Sequence, residues 1–391
     1  MLLGNLKLLS DDDLHDVHIE RGRIQSILPA EKSLGLFPDS LRIQFEKAII
    51  FPGLINSHDH LDFNLFPRLG NRLYKNYREW GLEINKENKN LIDAILKIPQ
   101  ELRIQWGIYK NLINGITTVV NHGEKLKAGK ELLTLYQEYK SLHSVGFERN
   151  WIFKLNQPFK NRGPFVIHVG EGRDENSHKE IDRLIKYNFF KKDLIGIHGV
   201  AMDELQASAF RGLVWCPDSN FFLLGKTAPI DRLQFHTKLC FGTDSCLTAS
   251  WNFWDQLRIA RKTGMVSDDR LFAMLTTEAA KVWGMDASGK IAVDHYADLV
   301  IVDNKQPLVG FDSFYNLNPE DILMVIHRGM IRLFDESLQI QLKAFDFPFH
   351  EFTKIQIKKR YKYIEGDFPV LINKIRQIYA QFNFPEGLWF A

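Results

Sequence analysis

Pro52-Gly53-Leu54-Ile55-Asn56-Ser57-His58-Asp59-His60 decides how this chain is read. The apolar, β-branched residues 49–55 read as a buried strand, and the segment ends in His-x-His. Side chains two apart on a strand share a face. If that face points into a barrel of parallel strands, both imidazoles reach one cation at the C-terminal rim, where barrel enzymes keep their active sites.

Working outward, residues 51–288 alternate short apolar strands with longer helical patterns, the order expected of βα units around a parallel sheet. Candidate strands after the first are Ile116–Asn121, Trp151–Leu155, Phe165–Val169, Leu194–His198, 212–216 and 239–242, with a further short one near Val145. Their lengths and flanking Gly or Pro favour buried strand over buried helix. The count approaches eight. From Asn121 to Phe165 there is little room for two complete βα units, so the third or fourth is expected to be abbreviated.

Residues 1–50 alternate like strands, as in Val17-His18-Ile19-Glu20 before the turn Arg21-Gly22, and 289–345 do so again around Arg328-Gly329. The fold expected is α/β: a (β/α)8 TIM-like barrel over 51–288, with a small β-sandwich domain built from both chain ends, 1–50 and 289–345. Residues 346–391 carry a basic amphipathic pattern and are expected to form a C-terminal helical tail packed on the body.

The other strand ends repeat the chemistry of the first. His168 closes one candidate strand, His198 closes another, and Asp244 follows Cys240-Phe241-Gly242-Thr243. Thirteen histidines scattered at random would seldom place four beside strand ends with an aspartate completing the set. His122, after the second strand, reads either as a rim histidine or as a substrate contact. His15, His18, His143, His178, His236, His295, His327 and His350 lack that context and read as surface or packing residues.

Composition narrows the function. The 391 residues are 45% hydrophobic and 25% charged, and 50 Lys and Arg against 48 Asp and Glu leave a net charge of +2. No global field argues for nucleic acid or an anionic membrane, and a small-molecule partner is expected. The start of the chain is unlike a signal peptide, and no apolar run approaches the ~20 residues of a bilayer span. Three cysteines without a CxxC pair fit a reducing cytoplasm. The composition is compatible with a homo-oligomer. The motifs Gly-x-Ser-x-Gly and Gly-x-Gly-x-x-Gly are missing, as is Pro-Cys-x-x-Cys, and the phosphate-binding Gly-x-x-x-x-Gly-Lys-Ser/Thr signature is not completed, since Gly284-x-x-x-x-Gly289-Lys290 is followed by Ile291; this removes the common serine-hydrolase, nucleotide, dinucleotide and non-barrel deaminase readings.

From Pro52-Gly53-Leu54-Ile55 through His168-x-x-Glu171, Asp244 and Ala297-Asp298-Leu299-Val300, the chain resembles the amidohydrolase superfamily over nearly its whole length. It looks most like the single-metal branch that includes cytosine and guanine deaminases and chlorohydrolase-like proteins. The resemblance implies one divalent ion, zinc or iron, on His58, His60, His168 and Asp244, with catalysis by Glu171, His198 and Asp244. Such an ion lowers the pKa of water from about 15.7 to roughly 7. Glu171 would be the proton shuttle, His198 would polarise the attacked group, and Asp244 would orient the water. Two-metal relatives bridge their ions with a modified lysine, for which Lys154 is the candidate near the fourth strand; the His-x-x-Glu pattern favours one metal. Val214-Trp215-Cys216-Pro217-Asp218-Ser219-Asn220 resembles a seventh-strand motif that shapes the pocket floor.

The implied reaction is attack of activated water on a C–N bond of a small cyclic substrate, with deamination of an amino-heterocycle ahead of cyclic amide hydrolysis or dechlorination. The rival from another class is a metal-free, non-catalytic scaffold. The segment after the first barrel strand, residues 62–91, is long enough for a functional loop. Its Arg68, Arg72, Tyr74, Tyr77, Arg78 and Trp80 are candidates to stack on or pair with a flat substrate.

Overall fold

The computed structural model describes residues 1–390 except 10, 12, 33–35, 38–39, 124–125, 127–130, 158–162, 305–309, 384 and 386. Four strands open the chain: β1 (Leu2–Leu8), β2 (Leu14–Glu20), β3 (Arg23–Pro29) and β4 (Arg42–Pro52). Eight shorter ones follow: β5 (Leu54–Asp59), β6 (Ile116–Asn121), β7 (Thr134–Tyr136), β8 (Lys140–Ser144), β9 (Phe165–Val169), β10 (Leu194–His198), β11 (Gly212–Trp215) and β12 (Lys238–Phe241). These eight pair only in parallel, as a sheet β5-β6-β7 and a sheet β8-β9-β10-β11-β12. Beyond β12, the N–H groups of Thr243 and Asp244 donate to the His58 carbonyl at 3.0 and 3.1 Å, which ties the last parallel strand back to the first.

The remaining strands are β13 (Leu299–Asp303), β14 (Ile322–His327), β15 (Met330–Asp335), β16 (Phe352–Ile357), β17 (Arg360–Glu365) and β18 (Leu388–Phe390). With β1–β4 they form one ten-stranded sheet, in the order β18-β16-β17-β15-β14-β13-β4-β1-β2-β3. Both its faces are covered in the centre. Ala48, Ile50, Leu299 and Ile301 belong to one apolar cluster, while Ile49, Phe51, Val300 and Val302 belong to the cluster shared with the helices of the parallel region. Two-sided burial explains why residues 48–51 of β4 and 299–302 of β13 are apolar at every position instead of alternating.

Several expectations need correction. Residues 49–55 are not one strand: β4 ends at Pro52 in the large sheet, and β5 starts at Leu54 in a parallel sheet. Gly53 makes the crossing, because a Cβ there would sit 2.2 Å from Thr117 Oγ1. Trp151–Leu155 is a helix, with Trp151 and Leu155 buried four residues apart and Phe153 exposed. A short apolar run cannot distinguish that from a strand. The short strand near Val145 is β8, which ends at Ser144, and the abbreviated unit lies between β7 and β8, joined by residues 137–139 with no helix. The tail is not simply helical. It contains the helix Phe368–Ile378 but also β16, β17 and β18, with Ile355, Ile357, Lys362 and Ile364 buried at a strand period that its basic composition obscured.

The long connection after β5 holds the helices Tyr77–Glu87 and Lys89–Leu96. Among the described residues no helix is long and apolar enough to cross a membrane.

The helix Gln100–Ile113 lies directly against the turn that follows His60, and contact is possible because residue 107 is glycine: a Cβ there would meet the Leu61 carbonyl oxygen at 2.4 Å. Backbone cannot swing aside as a side chain can. Gly107→Ala is therefore expected to destabilise the protein by about 1–3 kcal/mol in urea unfolding, although alanine is the better helix former.

Candidate functional site

His58 and His60 leave the end of β5 on the same side, and Asp59 between them turns the other way. Asp59 is fully buried, and its carboxylate is held by Lys110 Nζ at 3.0 Å, Asn111 Nδ2 at 2.8 Å and Asn64 Nδ2 at 2.9 Å. Lys110 and Asn111 come from the helix Gln100–Ile113. Asn56 extends the network to Asn111 Oδ1 at 2.9 Å and Thr243 Oγ1 at 2.8 Å. The two histidines are thus presented by a strand end anchored from behind. Nothing in the sequence pattern pointed to Lys110, since an isolated lysine in a helical stretch reads as solvated.

His168 stands at β9 and His198 ends β10. Ile195 and Ile197 share one apolar cluster with Val166 and Val214, so regular alternation would turn His198 to the opposite face. Its backbone is left-handed, φ 73°, as is that of Asp244, φ 56°. Such conformations are costly for residues with a side chain and concentrate at functional sites.

The side chains converge. His168 Nε2 lies 3.3 Å from both His58 Nε2 and His60 Nε2, and Asp244 Oδ1 lies 3.8 and 4.0 Å from the same two atoms. His168 Nδ1 is 2.8 Å from the His143 carbonyl oxygen, which can only accept, so that nitrogen carries the proton and Nε2 offers a lone pair to the cluster. Burial, and then the neighbouring imidazoles, hold His58 and His168 well below the ordinary histidine range, and hence neutral. Donors about 2.0–2.1 Å from a tetrahedral ion stand roughly 3.4 Å apart. Three imidazoles and a carboxylate with these separations fit a divalent metal.

The surroundings orient each donor. Asp244 Oδ2 accepts from Ser219 Oγ at 2.7 Å and Thr248 Oγ1 at 3.0 Å, which leaves Oδ1 toward the histidines. Burial works against its charge, but His198, His60 and the Ser219 bond keep the Asp244 carboxyl below its usual range. A chain of bonds sets the tautomer of His198. Trp215 Nε1, which can only donate, reaches Thr227 Oγ1 at 2.6 Å; that hydroxyl donates to Asn220 Oδ1 at 3.2 Å; and Asn220 Nδ2 donates to His198 Nδ1 at 2.9 Å. The His198 proton therefore sits on Nε2, 3.6 Å from Glu171 Oε2.

Glu171 follows β9 through Gly170 and is buried. Desolvation, then the charges of Asp244 and Glu180, raise its carboxyl well above the ordinary range. Behind it, Glu180 accepts the Gly170 N–H at 3.1 Å and the Tyr77 hydroxyl at 3.4 Å, and burial pushes it up to about 7. The long connection is sewn to this turn, because Tyr77 N–H donates to the Glu171 carbonyl at 3.1 Å and Arg173 N–H to that of Lys75 at 2.8 Å. The helix Tyr77–Glu87 consequently roofs a cavity of about 460 Å³ whose floor includes His60, His168, Glu171, His198 and Asp244.

Among the substrate candidates, Trp80 and Tyr77 line this cavity and Arg68, Tyr74 and His122 are not among its lining residues. Arg68 is ion-paired with Asp218 and faces a separate cavity. Tyr74 is buried with Val200, Leu223 and Leu224. His122 is packed beneath, its ring 4.4 Å from that of His168. Lys154 pairs with Glu148 on the outside, and Ser144 ends the fourth parallel strand. Sequence reasoning passed over His143, Phe63 and Phe147, all in the cavity wall; they lie off the strand-end pattern, and only the fold brings them in.

Residues 160–332 match the model of the amidohydrolase family. The 5'-deoxyadenosine deaminase of Methanococcus aeolicus is 24% identical over 370 residues, 78% of this chain and 86% of its own length. A 5-methylthioadenosine/S-adenosylhomocysteine deaminase of Pyrococcus furiosus is 24% identical over 403 residues, 84% and 91% of the two chains. Among solved structures, a zinc-bound adenosine deaminase from Xanthomonas campestris superimposes with a TM-score of 0.72 at 16% identity, covering 97% of this chain and 98% of that one. The 5-methylcytosine deaminase of Klebsiella pneumoniae does so at 0.63 and 15%, covering 85% and 97%. Over residues 160–332 the chain is similar to the amidohydrolase family, and like these solved structures it has a TIM-barrel-like α/β fold. It is a hydrolase acting on carbon–nitrogen bonds, and the family and the zinc-bound neighbour point to a divalent metal.

Removing the cation behind the strand end leaves Asp59 charged, buried and unpaired. Lys110→Met is expected to cost about 3–5 kcal/mol, read as a lowered midpoint of denaturant unfolding.

Proposed function

We propose that this amidohydrolase deaminates an amino-heterocycle by hydrolysis at a single metal held by His58, His60, His168 and Asp244. The observation that carries the reading is the buried Glu171, with its raised proton affinity, 3.6 Å from the Nε2–H of His198 beside the convergent donors. In this reading the two parallel sheets are arcs of one closed (β/α)8 barrel, and the ten-stranded sheet is the small β-sandwich domain of both chain ends. Zinc is the ion we favour, since the donor set is three imidazoles and a carboxylate. When bound, it supplies a hydroxide nucleophile near neutral pH by acidifying water from about 15.7 to roughly 7.

The protein's own groups do the rest. Glu171 accepts a proton from the attacking water and delivers it to the ring nitrogen adjoining the amidine carbon. The C–O bond forms while that carbon becomes tetrahedral. A second proton passes through Glu171 to the exocyclic nitrogen, the C–N bond breaks with its electron pair leaving on ammonia, and a ring carbonyl remains. A carboxyl whose proton affinity is raised by burial suits this two-way traffic. His198 donates from Nε2 toward the oxygen that develops charge. Asp244 uses Oδ1 for the ion, its other oxygen being held by Ser219 and Thr248.

The names of the relatives favour a 6-aminopurine as the first ring to test. Ring opening of a cyclic amide and displacement of halide would use the same nucleophile. Ammonia release across aminopurines, aminopyrimidines and aminotriazines supports deamination, whereas turnover confined to cyclic amides or chlorinated rings overturns it.

Glu171→Gln is expected to retain one metal per chain and lose about 10²–10⁴-fold in kcat; His58→Ala should lose metal and turnover together. Metal analysis and kinetics on the same preparations check both. Asn220→Asp would offer His198 Nδ1 an acceptor and move the ring proton there, so kcat should fall by about 10²-fold or more with metal content unchanged. An Asn220→Asp enzyme of undiminished kcat would remove the assigned tautomer.

A further inference from the structure

The active-site cavity has two halves of opposite character. Its floor is the histidine and carboxylate cluster, while its outer wall is Phe63, Tyr77, Trp80, Leu82, Ile84 and Phe147. Among the described residues that line it there is no Lys or Arg, and no carboxylate besides Glu171 and Asp244. Three of the polar side chains of the outer half are already engaged. Trp80 Nε1 donates to the Leu69 carbonyl at 2.7 Å, the Tyr77 hydroxyl lies between Gly146 N–H at 3.1 Å and Glu180 at 3.4 Å, and Asn85 Nδ2 donates to the Gly81 carbonyl at 2.7 Å.

A sugar diol seated against this wall would have only a few polar groups, on His143, Asn85 and Ser245, to replace the water it loses, and a phosphate would meet no lysine or arginine among the described lining residues. An apolar group suffers neither penalty. At the mouth, Leu82 is 72% and Phe147 48% exposed, so two large apolar side chains of the wall face solvent until something covers them. Phe147 is held in place, its ring 5.1 Å from Tyr77 and 5.5 Å from His143. The volume, about 460 Å³, is within the range of pockets for drug-sized ligands.

We infer that the substrate's amino-heterocycle carries a neutral apolar substituent, alkyl or aryl, seated between the helix Tyr77–Glu87 and Phe147, in place of a sugar or phosphate. This rests on the deamination reading for the ring and adds the part of the substrate that the outer wall selects. Phe147 and Leu82 are then specificity-determining residues.

The test uses zinc-loaded enzyme and two matched series, 6-aminopurines and 4-aminopyrimidines bearing hydrogen, butyl, benzyl, ribosyl or phosphoribosyl at the same ring nitrogen. Ammonia release gives kcat/KM, and calorimetry gives equilibrium binding separately. Butyl or benzyl compounds are expected to exceed their ribosyl counterparts by about tenfold or more in kcat/KM, with the phosphoribosyl compounds lowest. Phe147→Ser should shrink the benzyl-over-hydrogen ratio by about tenfold. A ribosyl or phosphoribosyl compound equal to or better than benzyl overturns the inference. If no compound releases ammonia but benzyl still binds more tightly than ribosyl and Phe147→Ser removes that difference, the deamination reading fails and the apolar selection stands. Absence of any preferential binding of the apolar compounds overturns it.

Discussion

Three imidazole nitrogens, two of them 3.3 Å from the third, and a buried carboxylate oxygen 3.8 and 4.0 Å from two of them set the constraint on which the rest of this molecule depends. Imidazoles aimed at a common point have little to offer each other, and a buried carboxylate needs a cation or several donors to remain charged. A divalent ion satisfies all of them at once. The supporting contacts make sense as ways of holding that geometry. The Asp59–Lys110 pair fastens the strand end, the His143 carbonyl fixes one ring, Ser219 and Thr248 aim the carboxylate, and Trp215 sets a proton on His198 through two intermediaries.

These holding groups arrive from several elements, so the site reports on the integrity of much of the fold. Lys110 comes from the helix before β6, Ser219 and Asn220 from the helix Pro217–Leu224 after β11, and Tyr77 from the roof over the cavity. The ten-stranded sheet contributes none of them. Its role is mechanical: β4 continues through Gly53 into β5, and the two-faced burial of β4 and β13 fixes where β5 begins. A shift of that origin by one residue would exchange His58 and Asp59 between the two faces.

The roof helix joins chemistry to recognition. Because the Tyr77 N–H donates to the Glu171 carbonyl, the apolar wall and the carboxyl proposed as proton shuttle meet at one corner. Its apolar side chains face the cavity while Arg72, outside, is spent on Glu79 and Glu83. Basic residues that look poised for an anionic substrate when the loop is read as a string are thereby turned away from it.

Local pattern alone carried the parallel-strand order, the residues at the strand ends and the expectation of a metal. Period-two alternation, strand length and the recurrence of histidine after apolar runs are properties of neighbouring residues, and they survive in a string. Glu171 was named by the family resemblance that His168-x-x-Glu171 helps to carry. Local pattern failed where neighbours in sequence are not neighbours in space. Trp151–Leu155 is apolar enough for either a strand or a helix, and tail strands β16 and β17 were masked by their basic composition. The choice of Tyr77 and Trp80 over Arg68 and Tyr74, the entry of His143 and Phe147 into the wall, and the burial of Lys110 against Asp59 were settled only by the tertiary structure. Whether a polar side chain is solvated, paired or aimed at a ligand depends on what packs opposite it, and that partner lies tens to hundreds of residues away.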